Sequence, residues 1–390
     1  MVTTYPPPGL EVGGPLRGVR VLDMSALGPG PFCSMLLADF GAEVISVERP
    51  VPPPFDMSEF FARGKRSAVV DLRAARGPEV IARLADRADV LLESNRPGTM
   101  ERKGLGPDVL CARNPQLIYT RLTGWGQHGP YRHRAGHDIN YIGVAGALGV
   151  IGTAGSTAPV PPLALLGDIA GGSLFAAFGI TMALLERVRT GLGQVIDSAI
   201  VDGAALLTTP HLAERNAGRW AGRGQHLLSG IAPFYGAYEC ADGGYFAVGA
   251  IEPKFYAQFL DALGLDDVVP ADQLDPACWP ELRERAAEIF RNKPRGHWVA
   301  VFADIEGCGS PVLELDELAE DAHLRERGTI RPEGDRLAAA PAPRLSRSPG
   351  RVGPMPERRG ADTRAVLTEA GFTPDEVDGL AATGTILTAD

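Results

Sequence analysis

Short apolar runs alternate with stretches of helical spacing over the first half of the chain, and this alternation most limits what the chain can fold into. The runs are VRVLDM (19–24), VISV (44–47), SAVVDL (67–72), VLL (90–92), LIYTRL (117–122) and QVIDSAI (194–200). Strands that are apolar along nearly their whole length suit a parallel sheet covered on both faces. The sequence therefore predicts an α/β domain with a buried parallel sheet.

A different pattern follows the first half. Residues 235–240 and 245–250 are β-type runs joined by Ala-Asp-Gly-Gly, which predicts a β-hairpin. Helical spacing then recurs at 254–263, 280–290 and 297–302. These elements predict a second, smaller α+β domain.

The net charge and the cysteines limit which partners, metal sites and cellular location are expected. The net charge is −10 and the pI is about 5.3, which argues against nucleic acid and anionic membranes as main partners. The five cysteines include no C-x-x-C pair, so neither a disulfide framework nor a zinc knuckle is predicted. A reducing cytoplasm is the expected location.

Two segments could be mistaken for targeting or membrane signals. The start, MVTTYPPPGLEVGG, has no basic region before an apolar run, so it is not predicted to be a signal peptide. The apolar run Ile169–Leu185 contains glycines and lies between Asp168 and Glu186. It is short for a membrane span, so a buried helix is predicted instead.

One glycine-rich stretch, LTGWGQHGPYRHRAGHDINY (122–141), is dense in groups that could do chemistry. Its glycines and Pro130 disfavour regular structure, and they let backbone amides approach a ligand. His133 and His137 have a spacing that binds metals on a helix, but Pro130 and Gly136 make a helix unfavourable there. The stretch therefore predicts an active-site loop without a metal.

Three candidates for chemistry each have a structural alternative. His137, followed by Asp138, could be a general base or a loop histidine bonded to a carbonyl. Asp168, in GDIAGGS, could be an N-cap or first-turn acid of the apolar helix, or it could face a pocket that raises its pKa. Glu252 precedes Pro253 and could likewise be a helix cap.

Phosphate binding by a known loop is not indicated, because neither G-x-G-x-x-G nor G-x-x-x-x-G-K-[ST] follows a strand. Basic residues nevertheless gather around the expected strand ends of the first domain. They could hold phosphates or be solvated surface charges. The set is Arg49, Arg63, Lys65, Arg66, Arg73, Arg96 and Arg102.

Taken together, several segments resemble the family III CoA-transferase superfamily, and within it the α-methylacyl-CoA racemases. The resemblance covers nearly the whole chain after the first dozen residues. The racemase subgroup is favoured by AGHDINY and AIEP, because the transferases generally lack a histidine at the His137 position. The segments that carry it include LRGVRVLDMSALGPGPFCSMLLADFGAEVISVERP, SNRPGTMERKGLGP, RLTGWGQHGP, PPLALLGDIAGGS, GQVIDSAIVDG and APFYGAYECADGGYFAVGAIEPKFY.

The resemblance implies a Rossmann-like large domain and a smaller α+β domain in an interlocked homodimer. The implied organisation is a large CoA-binding domain from 1–207, a linker at 208–230, a small domain at 231–328, an extended linker at 329–360 and a C-terminal helical part at 361–390 that returns to the large domain. The residues implied to contact coenzyme A are Arg49, Val70, Asp71, Leu72, Arg73, Ser94, Asn95, Arg96, Arg102, Gly136, Asn140 and Tyr141.

The activity implied is racemisation of 2-methylacyl-CoA thioesters by 1,1-proton transfer. His137 and Asp168 would exchange the roles of base and acid, and backbone amides of residues 136–139 would hold the enolate oxygen. Glu252, supplied by the partner subunit, would orient His137. The runs 147–150 and 231–234 are possible beds for the acyl chain. This chemistry needs no metal or cofactor beyond coenzyme A itself.

Two rival functions use the same residues differently. In an acyl-CoA:carboxylate CoA-transferase, Asp168 would be a nucleophile that forms an acyl anhydride, and His137 would be incidental. In a binding protein for CoA esters, the arginines would remain without any proton transfer. The sequence does not identify the acyl chain, the favoured direction or the pathway.

Overall fold

The computed structural model describes residues 13–25, 28–52, 58–156, 158–334 and 336–388, and it divides the chain into two compact units. The first unit contains the chain as far as Ala145, then Pro162–Leu207 and the part from Ala340 onward. The second unit contains Gly146–Pro161 and Thr208–Ala339. The first unit is therefore built from three separate segments.

The described strands, in chain order, are β1 (Arg20–Asp23), β2 (Glu43–Glu48), β3 (Lys65–Val70), β4 (Val90–Glu93), β5 (Ile118–Thr123), β6 (Val195–Ala199), β7 (Tyr235–Glu239), β8 (Tyr245–Gly249), β9 (Gly309–Val312), β10 (Ile330–Glu333), β11 (Arg336–Ala339) and β12 (Ile386–Leu387).

The described α-helices are α1 (Pro29–Asp39), α2 (Gly77–Ala85), α3 (Pro107–Arg113), α4 (Asp138–Val144), α5 (Ala147–Val150), α6 (Phe175–Thr190), α7 (Ile200–Leu207), α8 (Thr209–Asn216), α9 (Pro253–Ala262), α10 (Trp279–Arg291), α11 (Arg295–Phe302), α12 (Ala322–Arg327), α13 (Thr363–Glu369) and α14 (Pro374–Ala382). A π-helical segment, Leu165–Leu174, runs directly into α6.

The first unit is organised around one sheet with the strand order β12-β3-β2-β1-β4-β5-β6. All neighbouring strands are parallel except β12, which is antiparallel to β3. The order 3-2-1-4-5-6 is that of a doubly wound nucleotide-binding fold, in which ligands bind at the carboxyl ends of the strands where the order reverses. The sheet therefore places its expected binding edge after β1 and β4.

Alternate residues of the sheet face two separate cores. Leu22 and Leu91 pack in one core with α2, α13 and α14, whereas Val21 and Val90 pack in the other with α1 and α6. Successive side chains of a strand point to opposite faces, so strands covered on both faces must be apolar at nearly every position. The predicted α/β architecture with a buried parallel sheet is confirmed.

The second unit contains an antiparallel sheet of β7, β8 and β9. The hairpin predicted from Tyr235 and Tyr245 onward forms, with those residues at the starts of its two strands. Its core is aromatic, with Phe246 and Phe290 fully buried. A smaller α+β unit is thus present, as predicted.

The division of the chain differs from the expected boundaries at three places. Gly146–Pro161 belongs to the second unit, although 1–207 was expected to be continuous. The expected linker 208–230 contains α8, and the expected extended segment 329–360 begins with the β10–β11 hairpin. The helix α8 has no buried residue, so no apolar periodicity marks it in the sequence.

The long apolar helix is only partly buried. Ala176 and Ile180 are buried, but Phe178 and Leu185 on another face are 58% and 68% exposed in the single chain. This differs from the predicted buried helix. By length and composition alone, the continuous helical stretch Leu165–Thr190 could also cross a membrane, a test that core helices of soluble proteins pass as well.

Candidate active site

His137 stands at the start of α4, beyond the carboxyl end of β5. The chain leaves β5 through the glycine-rich loop and enters the helix at Asp138. The His137 N–H donates to Asn140 Oδ1 at 3.1 Å, and the Asn140 N–H donates to the His137 carbonyl at 2.8 Å. These two bonds fix the backbone of His137 while its side chain remains exposed. In the described structure, the amides of Asp138 and Ile139 have no hydrogen-bond partner.

The loop before His137 is held by aromatic packing. The rings of Trp125 and Tyr141 meet edge to face with centroids 4.8 Å apart, and the Tyr141 hydroxyl donates to the Gly136 carbonyl. Burial, together with the charge of Asp168, raises the pKa of Tyr141 to about 12, against the opposing effect of Arg96. The phenol therefore stays protonated and can keep its bond to Gly136.

Replacing Gly124 with alanine is expected to disturb this packing. A Cβ at Gly124 would lie 2.0 Å from Tyr141 Cζ, and Trp125 leaves the ring little room to move. We expect catalytic turnover to fall by about tenfold or more, since a small misplacement of a catalytic group is costly. Steady-state kinetics check this, with Gly143→Ala as the control because a Cβ there meets nothing within 4 Å. Equal activity of the two variants would contradict the role of Tyr141.

Asp168 lies in the first turn of the π-helical segment, which is one of the two helix positions predicted for it, and not at the N-cap. The helix begins at Leu165 because Leu163 and Ala164 turn the chain with positive φ angles of 53° and 63°. No glycine marks this turn in the sequence. The Asp168 N–H donates to Asp138 Oδ2 at 2.8 Å, which joins the two acidic residues directly.

Two glycines leave space for these carboxylates. A Cβ at Gly167 would lie 2.3 Å from Asp138 Oδ2, and one at Gly28 would lie 3.3 Å from Asp168 Oδ2. Gly28 also has a φ of 59°, which side chains rarely adopt. It belongs to the turn between β1 and α1, so the carboxylate of Asp168 reaches the edge where the strand order reverses. Neither Gly28 nor Gly167 is among the site residues predicted from the sequence.

The pKa of the Asp168 carboxyl is shifted toward neutral pH, where the group can act as acid or base. Burial raises its pKa most, the Asp138 carboxylate raises it further and the charge of His137 opposes both, so that the pKa is about 6. His137 thus lies close enough to Asp168 for its charge to lower the pKa of that carboxyl. The structure therefore brings together His137, Asp138 and Asp168, which the sequence places up to 31 positions apart.

The pH dependence of kcat/KM should follow from this pair. In the proton transfer that the family resemblance implies, the two reacting forms would each carry one proton, on His137 or on Asp168, so both reaction directions should share one bell-shaped profile. Asp138→Asn keeps an oxygen for the Asp168 N–H but removes a charge that raises the pKa of Asp168. We expect the acidic limb, near pH 6, to move to lower pH in this variant. Profiles measured with each enantiomer test this, and an unmoved limb would contradict it.

Some of the predicted basic residues are held in ion pairs within the protein, and the others are exposed and could bind phosphate. Arg63 pairs with Asp39, Lys65 is buried against Asp23 and Arg66 pairs with Glu43 and Glu369. The other four are exposed, and no carboxylate of the described residues lies within ion-pair distance of them. They follow β2, β3 and β4 at the expected binding edge. These four are Arg49, Arg73, Arg96 and Arg102.

Some predicted coenzyme A contacts could be made only by the backbone. Val70 is 1% exposed and pairs with Ile386 in the sheet, so its side chain belongs to the core. Leu72 packs partly against the same core, and its carbonyl accepts from Lys103 Nζ at 3.0 Å. Asp71 turns the chain by accepting from the Arg73 N–H. Ser94 and Asn95 are half-buried after β4.

The remaining candidates lie in the second unit. Glu252 is exposed at the N-terminal end of α9, and its side chain makes no capping bond there. The two runs expected to hold an acyl chain are also in this unit. Phe234 is fully buried in its aromatic core, so it is not a free apolar surface. Ala147 is buried as well, but Val150 is only half-buried.

The sequence model of CoA-transferase family III matches residues 16–363. The chain is a member of this family. It is 46% identical to the mouse (Mus musculus) α-methylacyl-CoA racemase over 93% of this chain and 95% of that protein. The human (Homo sapiens) α-methylacyl-CoA racemase is 44% identical over the same shares. The resemblance identified from sequence motifs is confirmed.

More distant relatives share the fold. A succinyl-CoA–D-citramalate CoA-transferase from Chloroflexus aurantiacus is 33% identical over 94% of this chain and 97% of that protein. The crystal structure of a CAIB/BAIF family protein from Brucella suis superposes with a TM-score of 0.78 at 27% identity, covering 92% of this chain and all of that one. Racemases and transferases thus both occur among the relatives.

Proposed function

We propose that the protein is an isomerase that racemises 2-methylacyl-CoA thioesters by 1,1-proton transfer through an enolate. The observation that carries this proposal is the bond from the Asp168 N–H to Asp138, the residue next to His137, together with a pKa of about 6 that lets Asp168 act as acid or base near neutral pH. The 46% and 44% identical relatives named as racemases support the same activity. The family supports coenzyme A thioesters as the substrate class.

The two catalytic residues have complementary roles. In one direction neutral His137 removes the α-proton and protonated Asp168 returns a proton to the opposite face; in the other direction the roles exchange. Asp138 holds the Asp168 backbone and raises the pKa of its carboxyl. The amides of Asp138 and Ile139, which have no partner among the described residues, are donors for the enolate oxygen.

The coenzyme A moiety is proposed to lie along the carboxyl edge of the parallel sheet. Arg49, Arg73, Arg96 and Arg102 supply cations for its phosphates. The effect of Arg96 on the Tyr141 hydroxyl connects this edge to the catalytic loop. The reaction requires no metal and no cofactor other than the coenzyme A of the substrate.

The proposed enzyme is an interlocked homodimer in the cytoplasm, with Glu252 of the partner subunit orienting His137. Exposed apolar residues on α6, including Phe178 and Leu185, support an interface there. Light scattering should give the mass of two chains, and a monomeric mass with full activity would contradict this part of the proposal.

A CoA-transferase that uses Asp168 as a nucleophile is the alternative function. It is favoured by the 33% identical transferase from Chloroflexus aurantiacus. Chiral chromatography after incubation with (2R)-2-methylacyl-CoA, with and without an added carboxylic acid, separates the two. We expect the 2R and 2S esters to approach equal amounts without the acid. A pure 2R ester, together with transfer of coenzyme A to the acid, would support the alternative.

A further inference from the structure

Three side chains of the second unit, none of them used in the proposed catalysis, converge on one another. His211 and Glu214 lie one turn apart on α8, and His226 precedes the short 3₁₀ helix Leu227–Ser229. Glu214 Oε1 is 3.0 Å from His226 Nε2, and Glu214 Oε2 is 3.6 Å from His211 Nδ1. All three ligand atoms lie within 4.8 Å of one another. Two imidazoles and one carboxylate thus share a small volume.

Two atoms of this cluster lack hydrogen bonds. His211 Nδ1 and Glu214 Oε2 are buried atoms with no hydrogen-bond partner in the part of the chain that the structure describes. They lie 3.6 Å from each other, which is beyond hydrogen-bond length, and buried polar atoms normally have a partner at hydrogen-bond distance. A cation that accepts lone pairs from both atoms would satisfy them together.

The donor set and its spacing suit a transition metal. Zn²⁺ binds imidazole nitrogen and carboxylate oxygen at about 2.0–2.2 Å, and two histidines with one glutamate are a known zinc set. Ligand atoms around a tetrahedral ion at these lengths are about 3.4 Å apart. The distances from the Glu214 oxygens to His226 Nε2, 3.0 Å, and to His211 Nδ1, 3.6 Å, lie on either side of this value. We propose that His211, Glu214 and His226 bind a divalent transition-metal ion of the zinc type.

One hydrogen bond opposes metal binding. His226 Nδ1 accepts from the Leu228 N–H at 3.2 Å, so in the metal-free chain Nε2 carries the proton and donates to Glu214. Coordination through Nε2 would move that proton and break the bond to Leu228. The loss of a single hydrogen bond is small beside the free energy with which proteins hold zinc.

A tryptophan provides a local reporter. The Trp220 ring lies 6.0 Å from the His226 ring and 5.5 Å from the His211 ring, measured between centroids. A bound paramagnetic ion such as Co²⁺ should therefore quench its fluorescence. Metal binding would tie α8 to the loop that carries Trp220 and His226.

Titration of the full-length, tag-free, metal-free protein with Co²⁺ tests the site. Visible absorption reports tetrahedral coordination, and fluorescence reports proximity to Trp220. We expect one Co²⁺ per chain, displaced by Zn²⁺, and at least about a hundredfold weaker binding in His211→Gln and in His226→Asn. Asparagine at 226 retains an oxygen that can cap the Leu228 amide. His323→Gln, on the exposed face of α12, is the matched control and should bind like the wild type.

Two results would overturn the proposal. The wild type could fail to bind Co²⁺ in the micromolar range, or the His211 and His226 variants could give the wild-type isotherm. Either result would mean that the cluster is a hydrogen-bonded group only. Circular dichroism establishes that each variant is folded, and Glu214→Gln decides the question if a histidine variant is not.

Discussion

His137→Ala should reduce racemisation by about a hundredfold to ten-thousandfold, or roughly 3–5 kcal/mol of transition-state stabilisation. Alanine removes one of the two groups that flank the α-carbon, so inversion has no acid or base on that side. Asp168 remains and can still exchange the α-proton that faces it with solvent. We therefore expect one enantiomer to exchange its proton without inverting, which chiral analysis combined with NMR would detect.

His133→Ala is the matched control for this variant. His133 is an exposed histidine four positions earlier in the same loop, and among the described residues its ring accepts a bond from neighbouring Arg132 alone. Its removal should leave racemisation nearly unchanged. Full coenzyme A transfer with no racemisation in both variants would favour the transferase alternative, because that reaction does not require His137.

Asp168→Asn should abolish racemisation and at the same time stabilise the fold at neutral pH. Burial and the Asp138 charge raise the pKa of Asp168 from 3.8 to about 6. The folded chain therefore holds this proton more tightly than the unfolded chain does. The stability that this provides is present below pH 4 and is lost as the pH rises through about 6. At pH 7 the buried carboxylate thus costs on the order of 3 kcal/mol.

Urea unfolding at pH 7 and pH 4 measures this second effect. Asparagine has nearly the same shape without the charge, so the free energy of unfolding should rise by about 3 kcal/mol at pH 7 and change little at pH 4. Asp266→Asn, at an exposed position, is the control and should change stability little at either pH. A destabilised Asp168→Asn variant at pH 7 would contradict the inference that burial and the Asp138 charge make the ionised Asp168 carboxylate unfavourable.

The parallel sheet could be predicted because each of its strands carries a recognisable apolar pattern in its own sequence. A strand covered on both faces, such as β4 with Val90 and Leu91, must be apolar at nearly every position, and this pattern is visible in the sequence. The order of the strands was not visible. It was implied only by the family resemblance, since register and crossover depend on contacts between distant segments.

The candidate site was predictable in part. His137 and Asp168 were identified as residues, but their meeting depends on the turn at Leu163 and Ala164, whose positive φ angles no sequence signal marks. The role of Gly167 depends on Asp138, which lies 29 positions earlier in the chain. The roles of the basic residues could be predicted least, because the sequence does not show which of them are held in ion pairs. Arg63 is paired with Asp39, whereas Arg96 is exposed.

Proton NMR of (2R)-2-methylacyl-CoA in deuterium oxide tests the central claim most directly. The account predicts that the wild-type protein removes the α-proton signal while the ester loses its stereochemical purity, and that inversion is lost in both His137→Ala and Asp168→Asn. Retention of the α-proton signal by the wild-type protein, under conditions in which it moves coenzyme A to an added carboxylic acid, would contradict the account.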